Sequence, residues 1–180
     1  MSYLISMKEW ESKSALLAHM EDMGANRIAM VGIEAEAPRK FYSFTFAAET
    51  GASEIAVLSS GLGIKPQAIL LKKGKRAIVG HDMWLTWIDV TSAALILSKR
   101  LNGVFFEFLP LNGDDEVIAL HELGALRADA NGTVIWTVDT DIVERSYLNS
   151  QGNLVLTIMD QPTKVVVSLR SGKISVATDE

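Results

Sequence analysis

The sequence predicts a mainly β fold of the α+β class. An N-terminal helix with short strands is followed by antiparallel meander repeats, about two and a half units of roughly 40 residues. Two observations carry this. The first is an internal repeat. Ala77-Ile78-Val79-Gly80-His81-Asp82 recurs forty residues later as Val117-Ile118-Ala119-Leu120-His121-Glu122, and eight residues beyond each His stands an Asp, Asp89 and then Asp129. A period of this length marks units that bury a core only by stacking on their neighbours. The second is turn chemistry at short intervals. Gly74, Asn102-Gly103, Asn112-Gly113, Asn131-Gly132, Gly152-Asn153, Pro162 and Ser171-Gly172 separate apolar runs of about six residues, as hairpin turns do.

Along the chain, Ser6 and Glu9 have capping-box spacing. Trp10, Leu16, Leu17, Met20 and Met23 recur at helical intervals, so a helix is expected from about Lys8 to Met23, with Gly24 as its stop. Arg27 to Gly32 reads as a short strand, and Pro38 breaks regular structure after it. Phe41 to Ala47 alternates Phe41, Ser43 and Thr45 with Tyr42, Phe44 and Phe46, the pattern of a strand. Ser53 to Ser59 fits a strand or a short helix. Ser60-Gly61-Leu62-Gly63 and Pro66 form a connector, dividing an N-terminal cap (1–65) from the repeats (66–180), packed together as one domain.

Twelve strands are expected in the repeats: Gln67–Lys72, Arg76–His81, Trp84–Asp89, Ala94–Ser98, Val104–Leu109, Val117–His121, Ala125–Asp129, Thr133–Val138, Ile142–Leu148, Leu154–Met159, Val165–Leu169 and Ile174–Ala177.

The chain of 180 residues is 48% hydrophobic and carries a net charge of −5, which argues against binding nucleic acid through overall charge. No apolar run reaches the ~20 residues that span a bilayer. There is no cysteine, so disulfides, thiolate metal sites and a catalytic Cys are excluded. The first residues lack the charged and apolar regions of a secretory signal, so a cytoplasmic protein is expected. Charge is uneven: Ile64 to Gly103 carries seven Lys/Arg against two Asp, and Asn112 to Arg145 eight Asp/Glu against two Arg. A basic repeat next to an acidic one is two solvated faces or a surface marked for a charged partner.

The stretch Ala128-Asp129-Ala130-Asn131-Gly132-Thr133-Val134-Ile135-Trp136 resembles the blade signature of the PQQ-type β-propeller repeat: an Asp, a turn Gly, a short strand and a Trp. Ser168 to Ile174 and Ile88 to Ala93 resemble degenerate copies. The resemblance covers about Gln67 to Ala177 and implies propeller-blade-like units. Closed propellers need four to eight blades, so a full propeller is not expected. Enzymes of that family hold their quinone inside a full ring, so no cofactor is expected either. Propeller-type repeats without a cofactor imply a binding scaffold.

Catalytic motifs are missing. His121-Glu122 is not a zincin helix, since Ala125 stands where the second His belongs, and Gly61-Leu62-Gly63-Ile64-Lys65-Pro66 ends in Pro rather than Gly. His81 and His121 at equivalent positions, with Asp89 and Asp129, are the candidate ligand-binding residues, although alternation on a strand sets each His opposite its neighbouring acid. No metal ligands are assigned. Asp139, Asp141 and Glu144 form an acidic edge of the kind that discourages sheet-to-sheet pairing. With Trp84 and Trp87 they are the candidate protein contacts, and Trp136 is expected in the core. Three readings are compatible with these residues. The preferred one is a non-enzymatic protein-binding module, of inhibitor or immunity type. The second is a small-ligand or metal-binding protein or enzyme with a polar cleft near His81 and His121. The third is a structural subunit of a homo-oligomer.

Overall fold

A computed structural model describes residues 4–22, 28–32, 37–48, 51–62, 64–71, 75–111 and 115–178. The expected helix stop at Gly24 and the turns at Gly74 and Asn112-Gly113 lie outside these residues. Among the described residues the fold is four four-stranded sheets and one helix, mainly β and not closed into a ring.

Sheet I contains β1 (Leu4–Trp10), β2 (Ile28–Val31), β3 (Lys40–Ala48) and β4 (Gly51–Ser59), in the order β1-β3-β4-β2, with β2 parallel to β4 and the other pairs antiparallel. The helix α1 is Lys13–Asp22, shorter than the expected Lys8–Met23. Residues 4–10 pair with β3 instead, because Ile5 and Met7 alternate with Ser6 and Lys8 at the period of a strand. Ser12, not Ser6, caps the helix: its hydroxyl accepts the Ala15 amide at 3.1 Å. The ambiguous run Ser53 to Ser59 is a strand.

The repeats form three sheets in chain order. Sheet II is β5 (Gln67–Leu71), β6 (Arg76–His81), β7 (Trp84–Asp89) and β8 (Ala94–Arg100). Sheet III is β9 (Phe105–Pro110), β10 (Glu116–His121), β11 (Gly124–Asp129) and β12 (Val134–Asp139). Sheet IV is β13 (Val143–Leu148), β14 (Leu154–Ile158), β15 (Thr163–Val167) and β16 (Ile174–Thr178). Each is an antiparallel meander, and the third unit is as complete as the other two.

The sheets stack face to face in series. Tyr42, Phe44, Phe46, Ile55 and Val57 of sheet I meet Ala77, Val79 and Ile88 of sheet II. The other face of sheet II brings Ile78, Leu85 and Trp87 against Phe105, Val117, Ala119 and Leu126 of sheet III. Ile118, Leu120, Trp136 and Val138 then meet Leu154, Leu156, Ile158 and Val167 of sheet IV. Sheets II and III are apolar on both faces, which is why their central strands read as near-continuous hydrophobic runs. On the far side of sheet I, Leu16 and Met20 of α1 cover Ala56 and Leu58.

Two close approaches fix the stacking. Gly132 of sheet III lies against the Leu97 side chain of sheet II, and a Cβ on Gly172 would stand 2.7 Å from the Trp136 Cβ. Ile96 and Ile135 are extra residues bulged out of β8 and β12, so Leu97 faces Trp87 across the ladder as Trp136 faces Arg127. Trp136 is therefore the counterpart of Leu97, where simple forty-residue counting matches it to Ile96.

Candidate functional site

The repeat motif builds the joints between sheets. His81 and His121 end the central strands β6 and β10, each just before a two-residue hairpin. The Asp82 carbonyl accepts the amide of Phe105, the first residue of the next sheet, and the Glu122 carbonyl accepts that of Val143. The Met83 and Leu123 carbonyls accept the amides of Leu101 and Thr140 in the same way.

Asp82 also reaches backwards. Its carboxylate accepts the Ser59 hydroxyl at 2.8 Å and the Ser60 amide at 2.9 Å, tying sheet II to the end of β4. Contrary to the alternation expected of strand neighbours, Asp82 Oδ2 lies 3.4 Å from His81 Nδ1. Asp82 has left the strand: its φ of 47° folds it back over the hairpin. Burial alone would raise its carboxyl, but the bonds from His81, Ser60 and Ser59 together hold it well below the usual range.

His81 and His121 do not share a pocket. His81 shares the face of Ala77 and Val79 toward sheet I, and His121 that of Val117 and Ala119 toward sheet II. His121 is 1% exposed, and its Nδ1 has no hydrogen-bond partner among the described residues. Burial pulls its pKa below the ordinary value, opposed by the charge of Asp139. Asp89 and Asp129 sit at the opposite strand ends from the two His, cross-paired with Arg76 and Glu116. Asp89 Oδ1 accepts the Thr91 and Ser92 amides at 3.0 and 3.1 Å, and Asp129 Oδ1 those of Asn131 and Thr133, both at 2.8 Å. These are turn-forming Asp residues. Among the described residues no group of three or more His, Asp or Glu could hold a metal ion.

Trp87 is fully buried; its Nε1 donates to the Asp129 carbonyl at 3.1 Å. Arg127, forty residues on, repeats the link from sheet III: it donates to the Leu169 carbonyl and to Glu116. Trp136 donates to the same Leu169 carbonyl at 2.9 Å. Trp84 is half-buried at its hairpin. Asp139 accepts from Asn102 and Asp141 from Gln161, both at 2.8 Å, and Glu144 is exposed beside Arg145 at 3.9 Å.

Two clusters escaped the sequence reading. Glu54, buried in sheet I, accepts His19 Nε2 of α1 at 2.9 Å, and the Trp10 ring lies 4.6 Å from the imidazole. The signal available was the even spacing of Glu54 with Ala56 and Leu58, which sets an acid on the helix-facing side. Glu9, Lys40, Tyr42, Gly61, Ile64 and Lys65 line a cleft of about 190 Å³. Glu9 pairs with Lys40 at 2.8 Å and Lys65 at 3.1 Å, and those bonds lower its carboxyl. The single carboxylate is shared between two ammonium groups, which leaves the cleft a net positive charge.

Among the described residues of the repeats, the outer strands β8, β12 and β16 carry five of the nine exposed large apolar side chains; the other four, Ile142, Tyr147, Leu148 and Met159, lie at β13 and just after β14. Leu95 is 52% exposed, Ile135 42%, Ile174 52% and Val176 67%, with Ile96 beside them.

No family model matches the chain, and no curated protein matches it in sequence. Solved structures do. Apo AztD from Citrobacter koseri superposes with a TM-score of 0.51 at 13% identity, over 86% of this chain and 47% of that one. The Neurospora crassa Pan2 WD40 domain gives 0.49 at 14% identity, over 62% and 37%. BamB from Moraxella catarrhalis gives 0.43 at 18% identity, over 60% and 35%. The chain spans less than half the length of each. At these identities the likeness bears on the fold alone, a propeller-like β repeat.

Proposed function

We propose that the chain is a non-enzymatic protein-binding module built from PQQ-type repeats. The observation that supports it is the row of exposed apolar side chains on the outer strands of three successive sheets: Leu95 and Ile96, Ile135, and Ile174 and Val176. Apolar groups gathered at corresponding places on a repeated surface are what a partner covers. The charged residues nearby (Lys99 and Arg100 on β8, Asp139 at the end of β12, Asp141 and Glu144 beyond it) supply a polar rim. His81 and His121 are buried at separate sheet interfaces and the Asp89 and Asp129 carboxylates are taken up by their own turns, so a cleft at His81 and His121 has less to support it. The inhibitor or immunity kind of module fits this reading as a small acidic binder.

The test is affinity capture from the native extract at low and high salt, with Leu95→Asp and Ile135→Asp alongside the wild type. A stoichiometric partner held by the wild type and lost by both variants is the expected result. Absence of any partner at either salt, or a partner indifferent to both substitutions, would sink the reading.

A further inference from the structure

We infer that β16 is a self-pairing edge, through which two copies of this chain associate antiparallel about a two-fold axis at Val176. The two ends of the stack are finished differently. The outer face of sheet I is covered by α1. Where sheets II and III present the cross-strand pairs Trp87–Leu97 and Arg127–Trp136 to the next sheet, sheet IV has Val166–Ser175 at the corresponding place, and the Tyr147 of the same row lies at the opposite edge, on β13. The β16 side of sheet IV therefore offers its edge rather than its face.

The outer edges differ. β8 carries the bulged Ile96 and the cations Lys99 and Arg100, and β12 carries the bulged Ile135 and Asp139. Bulges and charges are the devices that keep an edge from pairing. β16 has none of them. Its residues Ile174-Ser175-Val176-Ala177-Thr178 are uncharged, and its pairing with β15 runs without a register shift. Ile174 and Val176 lie on one face with Val165 and Val167, more than half exposed. An uncharged, β-branched, regular edge is a template for another strand.

The occupant is a second copy because the strand is complementary to itself. A two-fold at Val176 sets Val176 against its own copy and Ser175 against Ala177, so no like charges meet within the strand.

The experiment is molar mass by light scattering over a wide concentration range for wild type, Val176→Lys and Val176→Glu. We expect a wild-type dimer, two monomeric variants, and a heterodimer when the variants are mixed in equal amounts, since the two-fold sets Lys against Glu. Unchanged circular dichroism shows that each variant folds. As the chain has no cysteine, Val176→Cys adds a second readout: oxidation should link two copies through that residue alone. A wild type that stays monomeric at the highest concentration overturns the proposal. So do variants that stay dimeric, or a mixture that fails to associate. Leu95→Asp and Ile135→Asp, which lie off β16, should leave the dimer's molar mass unchanged, and this separates the proposal from the binding-module reading.

Discussion

The Trp87 indole, itself fully buried, and the Asp129 backbone carbonyl, forty-two residues apart, meet at 3.1 Å and join sheet II to sheet III. Trp87→Phe keeps the aromatic packing and removes one of two donors to that carbonyl, the other being the Gly132 amide at 3.0 Å. Loss of one such hydrogen bond costs about 0.5–1.5 kcal/mol. Urea unfolding should show this loss, while Trp87→Ala, which adds a cavity, should cost about 3–5 kcal/mol.

The next joint is shared. Arg127 and Trp136 both donate to the Leu169 carbonyl, so either donor alone still satisfies it. Arg127→Leu and Trp136→Phe should each be mild, and the double variant should be worse than their sum. A double-mutant cycle is expected to return a coupling of about 0.5–2 kcal/mol. Strict additivity would show that the carbonyl is not a common acceptor.

Gly172 and Gly152 have similar backbone angles, with φ of 68° and 73°, but different surroundings. A Cβ on Gly172 would meet Trp136 at 2.7 Å, whereas one on Gly152 would have nothing within 4 Å. Gly152→Ala should cost only the left-handed backbone penalty, about 1 kcal/mol. Gly172→Ala should cost clearly more, because sheets III and IV must also move apart. Equal midpoints in thermal unfolding would contradict the tight contact.

His121 makes stability depend on pH. Burial lowers its folded pKa below the ordinary 6.5, so below that pH the unfolded chain binds a proton that the folded chain refuses. Stability should therefore be full above about 6.5 and fall as the pH drops from there toward the folded value. Asp82 acts lower down. Its folded pKa lies below the ordinary 3.8, so its contribution is present above that value and lost as the pH falls beneath it. His121→Leu should remove the upper step and Asp82→Asn the lower one, read as unfolding free energy against pH.

His19 is the only described partner that Glu54 has in its buried place under α1. His19→Ala should leave a buried carboxylate unpaired and cost about 1–3 kcal/mol. Glu54→Gln should restore part of it in that background, and hydrogen exchange should show the loss concentrated in α1 rather than in sheets II to IV.

The strands of the repeats were legible because their apolar runs and turn residues are local signals. Arg76–His81 and Trp84–Asp89 fall where the sequence places them. The helix start was not. Ser6 and Glu9 satisfy a capping pattern, yet residues 4–10 gain a full ladder with β3, a partner more than thirty residues away that local spacing does not reveal. The same holds for the candidate site. The sequence marked His81, His121, Asp89 and Asp129 as equivalent, and equivalent they are. Chemistry, however, depends on convergence, and equivalent positions on successive stacked sheets set the two His at two different sheet interfaces.

By itself, then, the sequence determined the repeat length, the meander and the residues that recur, since backbone turns and hydrophobic periodicity act over a few residues. Only the tertiary structure decided how those units are used. Face-to-face stacking turned His81-Asp82 and His121-Glu122 into joints, gave Trp87 and Arg127 a common task, buried Glu54 under a short helix, and left β16 as the bare edge. Each depends on which surfaces are removed from water together, a property of the packed sheets and not of any single strand.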